Sequence, residues 1–232
     1  MSASVSHSDK PDSALKYFWP IVLAYVTFQL ISDVTAGKIT AMGPAQVSVT
    51  VLYFPVTYII SDVLTEVYGY ARARRVLWLV MAASVTAGMV YQLVVALPPA
   101  PSFTNNEAYT AVFSAVPRIL IAGWLAVFAG DIANNFVLAK LKVLMKGRLL
   151  FVRTISSTVV GQGVNTTVFY VGALWGVLPT EVLSSAILWG WAFKVAVEVL
   201  FTPITYAVVF FLKKKEGIDY YDRETDFSPL RY

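Results

Sequence analysis

Long apolar stretches occupy most of this chain, and they constrain its fold more than any other feature. A bilayer-crossing helix needs about 20 mainly apolar residues, and several stretches of the 232-residue sequence qualify. They cover residues 15–36, 43–64, 75–97, 117–138, 151–177 and 183–212. Because unpaired backbone groups are costly in lipid, spans of this kind must be helical. The sequence therefore predicts an all-α integral membrane protein with six transmembrane helices.

Composition supports a membrane protein and excludes several kinds of site. Charged residues make up 14% of the chain, against about 25% in soluble domains. There is no cysteine, which excludes disulfides, thiolate catalysis and cysteine-based metal sites. The single histidine, His7, lies in a polar tail, where a lone histidine is far more often solvated than a metal ligand, since metal sites need several convergent ligands. Since H-E-x-x-H, G-x-S-x-G and Walker-type motifs are also absent, we expect neither an enzyme nor a cofactor or metal site.

Basic residues predict the orientation of the spans. If the spans alternate in direction, fifteen of the eighteen Lys and Arg residues fall on one side of the membrane. By the positive-inside rule, that side is the cytoplasm. Both termini are therefore predicted to be cytoplasmic, and the net charge of +4 reflects topology rather than a nucleic-acid surface. We expect a disordered tail at 1–14, a six-helix transmembrane domain at 15–212 and a cytoplasmic tail at 213–232.

A few ionisable side chains lie within these apolar stretches or at their ends. They are Asp33, Asp62, Glu66, Arg118, Asp131, Lys194 and Glu198. A charge at the bilayer centre costs roughly 2.5–3.5 kcal/mol on insertion scales, so it usually faces a partner or a watery cavity. The pattern indicates that something moves through the protein. A proton-coupled carrier, with Asp62, Glu66 or Glu198 as the titrating group, fits it better than a catalytic site.

The second span ends in a polar motif that runs from Phe54 to Tyr70. Asp62 and Glu66 are four residues apart and share a helical face, and Pro55 frees a backbone carbonyl that a cavity or neighbour can satisfy. We expect this motif to belong to an inner gate, with direct substrate contact as the alternative. The predicted gate and coupling residues are Asp62, Glu66, Arg72, Arg75, Asp131 and Arg153.

Polar residues of the last two spans are predicted to meet near the middle of the membrane. Lys194 and Glu198 are one helical turn apart, and Gln162 and Asn165 lie level with them if the two spans form a hairpin. The predicted substrate-binding residues are Gln162, Asn165, Lys194, Glu198, Asn134 and Arg118. In the structural alternative, Lys194 and Glu198 form a self-neutralising pair, and the small and amide residues of span five serve helix packing.

The Phe54 to Tyr70 motif, with the arginines that follow it, resembles the signature of the queuosine precursor transporter family, also called the vitamin uptake transporter family. Three further stretches match: Arg118 opening span four, Arg153 to Gln162, and Lys194 with Glu198 and Pro203. Many relatives carry aspartate where this chain has Asn165, a side chain that can still hydrogen-bond.

The resemblance implies a secondary carrier in the inner membrane that imports 7-deazaguanine precursors of the tRNA base queuosine into a prokaryotic cell. Its implied partners are a small-molecule substrate and the lipid bilayer, without nucleic acid, and a homodimer is left open. Two other classes stay open: a substrate-binding membrane subunit driven by a separate ATPase, and a receptor or scaffold without flux.

Overall fold

Helices dominate the structure, a computed structural model that describes residues 15–144 and 150–218 apart from some side chains within the helices. The helices are α1 Phe18–Thr35, α2 Pro55–Tyr68, α3 Tyr70–Ala96, α4 Asn106–Phe113, α5 Val116–Leu144, α6 Leu150–Leu174 and α7 Thr180–Glu216. Strands β1 Ile39–Met42 and β2 Ala45–Ser48 form an antiparallel hairpin between α1 and α2, and a 3-10 turn follows at Val49–Leu52. The predicted tail at 1–14 and residues 219–232 lie outside the described residues.

Four helical stretches within the described residues are long and apolar enough to cross a membrane. They are Phe18–Thr35, Ala71–Ala96, Asn106–Asn134 and Thr180–Glu216. The remaining two candidates are α6, whose 25 residues include several polar ones, and α2, whose 14 residues span only about 21 Å. The prediction of a helical, multi-pass membrane protein is confirmed, whereas six crossings and the orientation of the termini stay predictions.

The second predicted span, at 43–64, differs most from the structure. Its first part forms β2 and the 3-10 turn, and the helix begins only at Pro55. Proline is well suited to the first turn of a helix, because the N–H that it lacks would have no partner there. Pro55 therefore starts α2 rather than kinking it. The helix ends at Gly69, whose φ of 86° is costly for other residues, and α3 follows at once.

Pro203 has a different setting from Pro55. Pro55 begins α2, but α7 runs through Pro203 without interruption for 37 residues. The turns around Pro203 remain helical, and Thr202 adds a hydrogen bond from its hydroxyl to the carbonyl of Glu198 at 2.6 Å. The sequence therefore does not repeat one structural element in α2 and α7.

Two apolar clusters hold the helices together at opposite ends of the bundle. The cluster near the chain termini packs α1, α2, α3 and α7 around Phe18, Leu64 and Tyr68. The other cluster joins α5, α6 and α7 around Ile119, Tyr170 and Ala186. Between these clusters the helices carry the polar residues of interest.

Glycines bring α5 and α6 unusually close together. A Cβ atom added to Gly161 would lie 2.8 Å from the Cβ of Asn134 and 3.1 Å from the carbonyl oxygen of Gly130. A Cβ added to Gly130 would likewise lie 2.8 Å from the Cβ of Asn165. Small residues allow such contact between membrane helices, so α5 and α6 form one tightly packed antiparallel pair that fixes the position of Asn165.

Candidate functional site

Three helices meet at the side chain of Asn165. Its Oδ1 accepts hydrogen bonds from Lys194 Nζ on α7 at 3.0 Å and from the Tyr58 hydroxyl on α2 at 3.2 Å. Lys194 is 9% exposed and Asn165 is 7% exposed, so the ammonium group is buried. A buried charge requires polar partners, and among the described residues Lys194 finds one in the amide oxygen of Asn165.

Two aromatic rings complete the surroundings of the ammonium group. Lys194 Nζ lies 5.6 Å from the ring centroid of Phe54 and 5.7 Å from that of Tyr58. The two rings contact each other edge to face, with centroids 5.2 Å apart. Cation–π contacts contribute about 2 kcal/mol or more where water is excluded. The aromatic residues that begin α2 therefore help to hold a positive charge in an apolar environment.

Glu198 binds α6 one turn further along α7. Its Oε1 accepts a hydrogen bond from the Thr158 hydroxyl at 2.9 Å, and its Oε2 accepts one from Gln162 Nε2 at 3.4 Å. Among the described residues, neither the buried Gln162 Oε1 nor the buried hydroxyl of Thr166 has a hydrogen-bond partner. An unsatisfied buried polar group costs about 1–3 kcal/mol. These two polar atoms of α6 can therefore bind a ligand without breaking a hydrogen bond within the protein.

Lys194 and Glu198 do not form an ion pair with each other, although they are one turn apart. Lys194 binds Asn165, and Glu198 binds Thr158 and Gln162, all of which are neutral side chains. The self-neutralising pair considered from the sequence is therefore not the arrangement adopted. The structure instead presents a donor and an acceptor side by side, and each remains able to bind a complementary ligand group.

The space beside these residues is small in this conformation. A cavity of about 40 Å³ adjoins Glu198, Thr158 and Thr202, and a more open groove of about 300 Å³ lies between α6 and α7 near Gly163 and Trp191. Binding pockets for small molecules usually measure roughly 300–1,000 Å³. The cavity at Glu198 has room for water rather than a two-ring heterocycle, so a ligand of that size does not fit beside Glu198 in this conformation.

The predicted gate residues on α2 lie at the opposite end of its polar face. Asp62 and Glu66 are exposed, whereas Val63, Leu64 and Val67 on the other face are buried. Glu66 forms an ion pair with Lys213 of α7, with an Oε1 to Nζ distance of 2.6 Å.

Lys213 is 147 residues away from Glu66 in sequence. The gate formed by Asp62, Glu66, Arg72 and Arg75 stays a prediction. Arg72 donates a hydrogen bond to the Tyr68 carbonyl at 3.3 Å. The side chains of Asp131 and Arg153, on α5 and α6, lie outside the described residues.

Sequence reasoning missed the role of Glu216 at the end of α7. Its carboxylate accepts hydrogen bonds from the backbone N–H groups of Lys16 at 3.2 Å and Tyr17 at 2.7 Å, and from the Tyr68 hydroxyl at 3.3 Å. The negative charge therefore caps the start of α1, where helix N–H groups need acceptors. An acidic residue at the C-terminal end of a helix is electrostatically unfavourable there, and that was the available signal.

The two remaining predicted residues occupy different settings. Arg118 donates hydrogen bonds to the carbonyl oxygens of Gly172 at 2.8 Å and Trp175 at 2.5 Å. It is exposed and ties the beginning of α5 to the end of α6, so the structure does not bring it into contact with Lys194 or Glu198. Asn134 packs against Gly161, one turn of α6 from Asn165.

Comparisons with known proteins give matches over most of the chain. Residues 48–208 match the family model described as "Putative vitamin uptake transporter". The "Probable queuosine precursor transporter" of Bacillus subtilis (strain 168) is 28% identical over 207 residues, which cover 84% of this chain and 90% of that protein. No solved structure matches. The segment matched by the family model contains Tyr58, Asn165, Lys194 and Glu198.

Proposed function

The chain belongs to the vitamin uptake transporter family, and from that premise we propose that it imports 7-deazaguanine precursors of queuosine as a secondary carrier. Membership makes it a membrane transporter rather than an enzyme. The name of the Bacillus subtilis relative supports the substrate class. The observation that carries the proposal is the presentation of Lys194 and Glu198 to neutral partners on α6.

The chemistry of these groups suits a guanine-like edge. Such an edge has two adjacent N–H donors, and one carboxylate accepts hydrogen bonds from both. Beside them lies a carbonyl oxygen, which accepts a hydrogen bond from a cationic group. Glu198 supplies the carboxylate, Lys194 supplies the cation, and Gln162 Oε1 offers a further buried acceptor. The rings of Phe54 and Tyr58 offer surfaces for the heterocycle, and stacking contributes about 1–3 kcal/mol per base in nucleic-acid complexes.

We propose six crossings with both termini cytoplasmic, and the assignment to the cytoplasm rests on the distribution of basic residues. Contacts of Glu216 with the start of α1 and with Tyr68 at the end of α2 are consistent with an even number of crossings, because they bring these helix ends together. In this topology the segment from the hairpin through α2 returns across the membrane, although α2 alone is short. The chain lacks cysteine, so a single cysteine can be introduced near each end of a helix. Labelling of that cysteine with a membrane-impermeant maleimide then shows on which side of the membrane the helix end lies.

Uptake by the chain alone tests the carrier function. Purified protein in proteoliposomes is expected to accumulate a radiolabelled 7-deazaguanine, and Glu198→Gln to abolish most of that uptake. Lys38→Met, which changes an exposed residue outside the site, serves as the control. Binding without uptake, restored to uptake by copurified ATPase subunits, supports the ATPase-driven alternative. Binding without uptake in either setting indicates a receptor, and absence of binding refutes the substrate assignment.

A further inference from the structure

A second buried acidic residue, Asp33, lies on α1 outside the site described above. It is 7% exposed. Its Oδ1 accepts a hydrogen bond from Gln29 Nε2 at 2.8 Å, and its Oδ2 accepts one from the Ser84 hydroxyl of α3 at 2.6 Å. Within the described residues, Asp33 takes part in no ion pair. The carboxyl group is therefore held entirely by neutral donors.

Asp33 lies near the end of α1 and faces the central part of α3. Ser84 follows the start of α3 by 14 residues, or about 21 Å, in a helix of 27 residues. Asp33 follows the start of α1 by 15 residues, or about 22 Å, and α1 begins on the side where α2 ends and α3 starts. The two partners thus meet roughly halfway along α3 and near the end of α1. A carboxylate buried within a membrane-spanning helix is costly and usually functional.

Among the described side chains, the charged groups of the helices that pack against α1 lie elsewhere; the side chain of Asp131 on α5 is not among them. In α3, Arg72, Arg74 and Arg75 precede Ser84 by nine residues or more, which is at least about 13 Å along the helix. In α2, Asp62 and Glu66 are exposed and Glu66 binds Lys213. In α5, Arg118 binds the end of α6. None of these groups has a hydrogen bond or ion pair with Asp33.

A chain of contacts connects α1 near Asp33 to the proposed substrate site. Thr35, two residues further along α1, hydrogen-bonds the hydroxyl of Tyr53. Tyr53 directly precedes Phe54, whose ring contacts Lys194. A movement that separates Phe54 from Lys194 therefore acts on the end of α1 that carries Asp33. Two sites that are connected by contacts in this way can both shift the same conformational equilibrium.

We propose that Asp33 is the proton-binding site that couples this transporter to a proton gradient. In one conformation the carboxylate takes a proton from one side of the membrane, and in the other the carboxyl group releases it to the opposite side. No ion pair has to break, because Gln29 and Ser84 are neutral. The proposal rests on the carrier function proposed above and adds its coupling ion. It assigns the titrating role to Asp33, because Glu66 is ion-paired and Glu198 is reserved for the substrate.

The decisive comparison is between Asp33→Asn and the wild type in proteoliposomes. Three quantities are measured: accumulation driven by an imposed pH gradient, substrate exchange without a gradient, and equilibrium binding of labelled 7-deazaguanine. Asparagine keeps the size of the side chain and cannot take up a proton. Gradient-driven accumulation is expected to fall at least tenfold, while exchange and binding stay within twofold. Glu107→Gln, which neutralises an exposed carboxylate on α4, is expected to behave like the wild type.

Other outcomes separate this inference from the carrier function. Wild-type uptake that ignores the pH gradient, or Asp33→Asn that still responds to it, overturns the coupling role and leaves the carrier intact. If the asparagine variant fails to fold, Asp33→Glu is used, and an unchanged pH dependence of its uptake counts against the proposal. Substrate-induced proton movement, followed with a trapped pH indicator in wild-type vesicles, must also be present. Absence of any wild-type uptake refutes the carrier function, and the coupling role with it.

Discussion

Replacing Lys194 with methionine tests the substrate site directly. Methionine fills a similar volume but removes the ammonium group, and Asn165 Oδ1 keeps its hydrogen bond from Tyr58 at 3.2 Å. No acceptor loses all its partners, and similar-volume swaps usually cost less than about 1.5 kcal/mol. Hydrogen bonds to charged groups contribute about 1.5–3 kcal/mol. If Lys194 binds the substrate carbonyl, the dissociation constant should therefore rise roughly 10- to 150-fold, while the protein stays folded.

The binding assay for Lys194→Met needs a matched lysine that lies outside the site. Lys38 is exposed on the segment between α1 and the hairpin, so Lys38→Met should bind labelled 7-deazaguanine as the wild type does. Affinity is measured by titration in detergent, with the melting temperature of each variant recorded in parallel. A dissociation constant for Lys194→Met within twofold of the wild type would refute the reasoning and return Lys194 to a structural role.

Two further substitutions probe packing and gating. Gly161→Ala places a Cβ 2.8 Å from that of Asn134. Overpacking destabilises the protein by about 1–3 kcal/mol, which outweighs the gain in helix propensity from alanine. The apparent melting temperature should therefore fall by roughly 2–8 °C. Gly123→Ala, with open space at its Cβ, should show no loss, and equal behaviour of both variants would contradict close α5–α6 packing. Glu66→Gln removes the ion pair with Lys213 and should slow transport with little change in binding, because the pair joins α2 to the end of α7, 15 residues or about 22 Å along that helix from Glu198. An equal loss of binding would identify Glu66 as a substrate contact instead.

The sequence predicted which polar residues of α6 and α7 lie at one level, because this depends only on residue spacing within two long helices. Residues one turn apart on α7 and three residues apart on α6 must fall at one level once the helices form an antiparallel hairpin. Gln162, Asn165, Lys194 and Glu198 indeed come together. Periodicity does not reveal which partner each charge selects, and so the division into Lys194–Asn165 and Glu198–Gln162 required the structure.

The hairpin was missed although its residues carry the signal. Ile39, Thr40 and Val47 are β-branched and favour strands, and Gly43 supplies the turn with φ of 61°. The prediction instead followed length and hydropathy, because the apolar stretch at 43–64 is long enough to cross a membrane as a helix. The contribution of Tyr58 could not be predicted either, because it depends on where α2 begins.

Long-range contacts were beyond sequence reasoning for a different reason. Glu66 and Lys213 are 147 residues apart, and Glu216 reaches Tyr17 across 199 residues. Nothing in a single sequence distinguishes Lys213 from Lys214, since both read as the basic end of a last span. Only the packing of α2 on α7 makes the distinction.

One helix, α7, links the three regions on which a transport cycle would depend. Phe193 packs against the β-hairpin, Lys194 and Glu198 bind α6, and Lys213 binds Glu66 at the other end. Pro203 lies between Glu198 and Lys213 and supplies no N–H to the turn before it, so the helix can bend there while losing fewer hydrogen bonds than elsewhere. The cavity at Glu198 is too small for a heterocycle, and its walls come from α6 and α7. We therefore expect a bend near Pro203 to open the substrate site on one side of the membrane while the ion pair between Lys213 and Glu66 stays closed. When the carrier opens to the other side, we expect the substrate site to close and the ion pair to separate.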